Sequence, residues 1–508
     1  MVKVATRELE KVATGVPGLD EVLNGGLPKG RSTMVAGTAG SGKTMLSLQF
    51  LPTGVSEFGQ KGVCVTFEET PEDLARNVAS FGWHFDKLIE DDQIAMVDVS
   101  ADPGHEVVEA GHFDLSALMA RIEAAVRRVG AERVILDAVG SLFARFGDPG
   151  TVRQGLHNIL GGLRQLDVTT LITMERTEED GAIGRFGVEE FVADNVMVVR
   201  NRLENEKRRR TVEILKIRGA SHQKGEYPFT IDAQDGLIVI PLSATELQQK
   251  SSTVRVSSGV EELDKMCGGG MYRDSIILIS GATGTGKTLM VTEFVKAASQ
   301  SGDRVLLIGA EESRQQLIRN ATAWGADFEK AEADGLLRMV CRYPELMSLE
   351  DHLLHIKRDI ESFKPSRIAV DSLSAFERVS SLKSFREFVI GLTSHIKQLE
   401  TTGLFTNTTP ILIGGESVTE THISTITDTI ILLRYVELMG EMRRGLAVLK
   451  MRGTWHEKGI REYVIDGSGM SIKSNFKGVH GILSGVPSYN FTAETERLTG
   501  LFDTPSGG

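Results

Sequence analysis

The stretch GATGTGKT, Gly281 to Thr288, fits the phosphate-binding pattern G-x-x-x-x-G-K-[ST]. Glycines let successive backbone N–H groups turn inward around phosphate oxygens. Lys287 is placed to reach the β- and γ-phosphates, and the Thr288 hydroxyl to hold Mg²⁺. The flanks agree. SIILIS (Ser275 to Ser280) reads as a buried strand and LMVTEFVKAASQ (Leu289 to Gln300) as a helix, so the helix N-terminus would face the anion. Gly281, Ala282, Thr283, Gly284, Thr285, Gly286, Lys287 and Thr288 are therefore the candidate nucleotide cradle.

Working outward, the motif occurs a second time as GTAGSGKT: Gly37, Thr38, Ala39, Gly40, Ser41, Gly42, Lys43 and Thr44. Lys43 and Lys287 are 244 residues apart, and a long internal repeat follows from that alignment. Each copy has an apolar run ending in paired acids, GVCVTFEE (Gly62 to Glu69) and RVLLIGAEE (Arg304 to Glu312), at a spacing of 243. RVILDAVGSL (Arg133 to Leu142) and RIAVDSLSAF (Arg367 to Phe376) place Asp137 and Asp371 234 apart, as do LKIRGASHQKG (Leu215 to Gly225) and LKMRGTWHEKG (Leu449 to Gly459). One small length change thus lies between the acid pair and the aspartate, with the rest expected in register. Strands alternating with amphipathic stretches such as LSALMARIEAAVRRVG (Leu115 to Gly130) predict an α/β chain: two mainly parallel sheets flanked by helices. The polar LSATELQQKSST (Leu242 to Thr253) reads as the linker. The expected division is 1–246, 247–483 and a tail, 484–508.

The totals narrow the function. A net charge of −12 argues against broad nucleic-acid affinity. Cys64, Cys267 and Cys341 are far apart, without metal spacing, and suit a reducing cytoplasm. MVKVATRELEKV (Met1 to Val12) has no signal-peptide core, and no apolar run of about 18 residues suggests a membrane span.

Chemistry needs more than a cradle. Asp137 and Asp371 follow apolar strands, the place of a carboxylate that orients Mg²⁺ and its waters, so Thr44, Asp137, Thr288 and Asp371 form the expected metal set. Glu68, Glu69, Glu311 and Glu312 are candidates to activate the attacking hydroxyl. Neighbours on a strand end point in opposite directions, so one of each pair should face the nucleotide. The shared run K-x-R-G-x-x-H-x-K-G supplies Lys216, Arg218, His222 and Lys224, then Lys450, Arg452, His456 and Lys458. Each copy already has its own loop lysine, so these cations are read as reaching a neighbouring subunit's nucleotide, which predicts a closed ring. VEEFVADNVMVVR (Val188 to Arg200) aligns with HISTITDTIILLR (His422 to Arg434). Ser424 and Thr425 stand where the first copy has Glu190 and Phe191. On pattern alone, adjacent hydroxyls in such a stretch are common and need no special role.

Both halves resemble RecA-like ATPases. From Val16 to about Lys477 the chain resembles the KaiC family of bacterial circadian oscillators. The most specific pieces are SSGVEELDKMCGGG (Ser257 to Gly270), FTNT (Phe405 to Thr408), HISTITDTIILL (His422 to Leu433) and KMRGTWHEKGIREY (Lys450 to Tyr463). The resemblance implies a two-tiered, ATP-dependent homohexamer using ATP/ADP and Mg²⁺. It implies an N-terminal domain that hydrolyses ATP and a C-terminal autokinase and autophosphatase with Ser424 and Thr425 as phosphoacceptors. It further marks Thr419 as an auxiliary hydroxyl, Arg378 as a phosphosite neighbour, and a KaiB-like protein as partner of the N-terminal tier. The tail, SGVPSYNFTAETERLTGLFDTPSGG (Ser484 to Gly508), does not resemble the KaiA-binding tail of cyanobacterial members, which argues against a KaiA-like activator. Two other readings share these motifs: a nucleotide-gated scaffold with little kinase activity, and a RecA/DnaB-like DNA-dependent ATPase.

Overall fold

The computed structural model describes residues 9–100, 115–143, 149–184, 187–204, 206–241, 251–409, 423–476, 479–482 and 488–489. The chain divides into two compact units, 1–244 and 245–508. Each is built on a nine-stranded sheet with the phosphate-loop strand at its centre.

In the first unit Ser32–Gly37 lies between Thr169–Glu175 and Asn195–Glu204, parallel to both. Arg133–Asp137, Gly62–Thr66 and Ile94–Asp98 extend the parallel half. Lys207–Ile217, Glu226–Asp232 and Gly236–Val239 add an antiparallel half. The second unit repeats this around Ile276–Gly281, with Thr402–Thr408 and Thr429–Leu438 as its neighbours. The strands are apolar without alternation because helices cover both faces of a parallel sheet. Every residue of Ile276–Gly281 is buried. Helix Lys287–Gln300 sets Leu289, Val291, Phe294 and Val295 in the core. Truncating the fully buried Phe294 to Ala should cost about 3–5 kcal/mol.

One expectation is corrected. The copies do not stay in register after the aspartate. Gly37 pairs with Glu175 and Gly281 with Thr408, a spacing of 233 on these strands, and helices Pro149–Gln165 and Leu382–Gln398 share it. The spacing returns to 234 where Thr33 and Ile277 pair with Asn195 and Thr429. Both slips fall in connections between elements, where a residue can be gained or lost without moving side chains to the wrong face of a strand.

Candidate active sites

Parallel sheets bind ligands beyond the C-terminal ends of their strands. Both phosphate loops sit there. The helices that follow, Lys43–Phe58 and Lys287–Gln300, begin at glycines in the left-handed region, Gly42 at φ 93° and Gly286 at φ 96°. Neither has a side-chain N-cap or an acid in its first turn. Helices Arg314–Ala323 and Leu349–Phe363 are closed instead by capping boxes from Ser313 and Ser348. The loop helices thus leave first-turn N–H donors for an anion, which is what a bound triphosphate requires.

Beside each loop stands the expected aspartate. Thr44 Oγ1 donates to Asp137 Oδ1 at 3.2 Å, and Thr288 Oγ1 to Asp371 Oδ2 at 2.7 Å. Sequence reasoning missed a second hydroxyl on each carboxylate. Thr173 donates to Asp137 at 2.8 Å, and Thr406 donates to Asp371. These threonines sit on the strand beside the aspartate strand. Their repetition in TLIT and GLFT was the available signal. Burial raises both aspartates, opposed by their threonines and the loop lysine. Among the described residues no group of three or more His, Cys, Asp or Glu side chains forms a metal cage. A threonine and a carboxylate beside a phosphate cradle fit Mg²⁺, which keeps several waters and takes phosphate oxygens rather than a protein cage. Lys43 Nζ donates to Thr38 O at 3.3 Å, and the buried Lys287 to Gly281 O and Ala282 O at 2.9 and 3.0 Å.

The glutamate pairs are divided in the same way in both copies. The second acid is tied sideways: Asn77 Nδ2 donates to Glu69 at 2.8 Å and Asn320 Nδ2 to Glu312 at 2.9 Å. The first acid of each pair is within electrostatic reach of the loop lysine. Lys43 acts on Glu68, and Glu311 on Lys287, by direct charge interaction. Glu68 is raised by burial and by the charges of Glu175 and Asp137. Glu311 instead accepts from Arg378 Nη2 at 2.6 Å.

The cation run begins within its own unit. Lys216 Nζ donates to Glu190 O and Ala193 O, each at 2.8 Å, and Arg218 to Phe191 O at 3.2 Å. Lys450 donates to Thr427 O and Arg452 to Thr425 O, both at 2.7 Å. Lys216 and Lys450 are lowered first by burial and then by the neighbouring arginine. These contacts fasten the C-terminal carbonyls of two short helices, Glu189–Val192 and Ile423–Ile426. Arg218 and Arg452 also pair with Asp194 and Asp428 at 3.5 Å. His222 Nδ1 lies 3.0 Å from Gln223 O; His456 is half-buried, and Lys224 and Lys458 are exposed. Thr425 is exposed on its helix, and Phe191 occupies the matching place, 62% exposed. Ser424 lies on the same helix. Thr419 and the tail from 490 onward lie outside the described residues.

Comparison with known proteins agrees with this duplicated site. The KaiC ATPase family profile matches twice, over residues 12–244 and 256–477. The chain is 58% identical over 503 residues to the circadian clock protein KaiC3 of Synechocystis sp. strain PCC 6803, covering 99% of each. It is 54% identical over 485 residues to the circadian clock oscillator protein KaiC of Thermostichus vulcanus, covering 95% of this chain and 93% of that one. With the KaiC of Nostoc sp. strain PCC 7120 it shares 52% over 503 residues. Two phosphate cradles, each with its aspartate and glutamate pair, and matches over nearly the whole length lead to one conclusion: the chain is a tandem ATPase of the KaiC circadian clock family.

Proposed function

We propose that the chain assembles with ATP into a two-tiered homohexamer, hydrolysing ATP in the first domain and reversibly phosphorylating Ser424 and Thr425 in the second. One observation supports this split above the others. The two cradles share their geometry, but only the second unit carries hydroxyls on the short helix that the cation run fastens. The first presents Phe191 there.

In the first site, backbone N–H groups of Gly37–Thr44 and Lys43 hold the phosphates. Glu68 takes the proton of the attacking water as oxygen bonds to the γ-phosphorus and ADP leaves. In the second, Lys287 and Gly281–Thr288 hold ATP. Glu311 takes the proton from Ser424 or Thr425 of an adjacent subunit. Thr44 and Asp137, and Thr288 and Asp371, would hold Mg²⁺, which would supply charge neutralisation for the phosphates. Lys224 and Lys458, exposed at the ends of their runs, are the cations with reach toward a neighbour's nucleotide. Each phosphate adds about −1.5 to −2 charge beside an interface, enough to bias ring packing. A KaiB-like partner on the first tier, action in the cytoplasm and a regulatory role for 484–508 belong to the same reading. Unpaired cysteines and the absence, among the described residues, of a helix able to cross a membrane are consistent with it.

The test is a time course of purified protein with Mg-ATP alone, read by site-resolved phosphopeptide mass spectrometry. Phosphate should accumulate on Ser424 and Thr425 and be absent in Lys287→Ala. ATP hydrolysis with neither residue modified would replace this reading with the scaffold.

A further inference from the structure

Among the described residues the two phosphate loops are held by different contacts. In the first unit, the segment after strand Thr169–Glu175 returns across the loop and is pinned at two places. Arg176 donates to Gly181 O at 2.7 Å and to Ala182 O at 3.1 Å, and Arg202 pairs with Asp180 at 2.5 Å. Between the pins stands Glu179. Its Oε1 accepts from the hydroxyl of Thr38, the second residue of the loop, and from Asn201 N at 3.2 Å. Asn201 Nδ2 and Arg210 Nε then donate to Gly40 O at 3.2 and 3.3 Å. The loop is thereby fastened at two of its residues.

In the second unit, strand register sets Tyr435 and Tyr463 at the places of Asn201 and Phe229. Tyr463 OH donates to Thr285 O at 2.5 Å, and a Cβ on Gly284 would lie 2.7 Å from Tyr435 OH. Arg444, the register mate of Arg210, lies over the Tyr435 ring at 5.5 Å.

We propose that Glu179 is a positioning residue: it latches the first-domain phosphate loop in its cradle and so sets the rate at which that site lets ADP go. A cradle held in its bound shape loses less conformational freedom on binding, and a ligand leaves it more slowly. Glu179 acts through Thr38 and, by way of Asn201, through Gly40. The inference rests on the phosphate-loop assignment and is independent of autokinase activity.

The experiment is stopped-flow release of a fluorescent ADP analogue from the full chain. Glu179→Ala should accelerate one release phase about 3- to 10-fold, the worth of a hydrogen bond of this kind. Glu179→Gln keeps an acceptor for Thr38 and Asn201 and should restore most of the wild-type rate. Tyr435→Ala should change the other phase and leave the Glu179-sensitive one alone. Thr38→Val and Asn201→Ala remove the same links from the other side, and far-UV circular dichroism shows which variants fold. An unchanged release phase in the folded members of this set would overturn the latch, as would equal acceleration by Gln and Ala.

Discussion

The first and second sites place the same acid beside the same lysine and give it different company. Glu68 feels the charge of Glu175, whereas Glu311 has the Arg378 guanidinium at 2.6 Å; residues 144 and 145, which match Arg378 by spacing, lie outside the described residues. At the strand position of Glu175 the second unit has Thr408. On the proposed division of labour, the difference suits two acceptors. Water is small and needs a base whose proton affinity is kept up by burial and nearby negative charge. A serine or threonine from a neighbouring chain needs a base held at one orientation. The Thr–Asp pair and the asparagine on the second glutamate are alike in both units, so among the acids the divergence lies at the first glutamate.

The widest separation should come from removing that carboxylate in each copy. Glu68→Gln should lower ATP hydrolysis about 10²-fold or more and leave acceptor phosphorylation standing. Glu311→Gln should do the reverse by a similar factor. Steady-state phosphate release and phosphopeptide time courses on the two variants read both. Equal loss of both activities in either variant would break the division of labour. Glu69→Gln and Glu312→Gln, whose acids are tied to Asn77 and Asn320, should cost less than their neighbours.

A smaller effect is expected at Arg378. Its side chain is 59% exposed and that of Glu311 39%, so the pair adds at most about 1 kcal/mol to stability. Arg378→Ala should therefore leave the thermal midpoint nearly unchanged. It should slow phosphorylation of Ser424 and Thr425 about 3- to 10-fold through a less well-held base, and leave first-domain hydrolysis alone. Arg378→Lys keeps the charge but not the planar fork, and should recover only part of the rate. Full activity in Arg378→Ala would reduce the ion pair to a surface contact.

What could be read without coordinates follows how far apart the cooperating residues lie. The phosphate loops were legible because their function is carried by eight contiguous residues and the strand and helix beside them. The aspartates were legible because an acid after an apolar run is itself a local pattern. The different fastening of Glu68 and Glu69 was not, since it depends on Asn77 catching Glu69 from the next helix. Thr173, 36 residues from Asp137, and Glu179, 141 residues from Thr38, become neighbours only when strands pair. The one-residue slip between copies was hidden because a later loop restores the spacing. The cation run shows a different limit. Its spacing identified Lys216, Arg218, Lys450 and Arg452, but could not show that their donors are already given to carbonyls of the short helices.

The finest test of the comparison is electrostatic. Glu68 is raised from the ordinary carboxylate range, first by burial, then by Glu175, then by Asp137, while Lys43 pulls it down. A base works only when ionised, so first-domain hydrolysis should fall as pH drops through this raised value, above where an unperturbed glutamate would fail. Glu175→Gln removes the largest of the neighbouring negative charges that raise it and keeps the side chain's shape. The acid limb of the hydrolysis profile should then move to lower pH, while the rate on the neutral plateau changes little. An acid limb in Glu175→Gln superimposable on that of the wild type would leave burial as the cause at Glu68 and remove Glu175 from the account of why the sites differ.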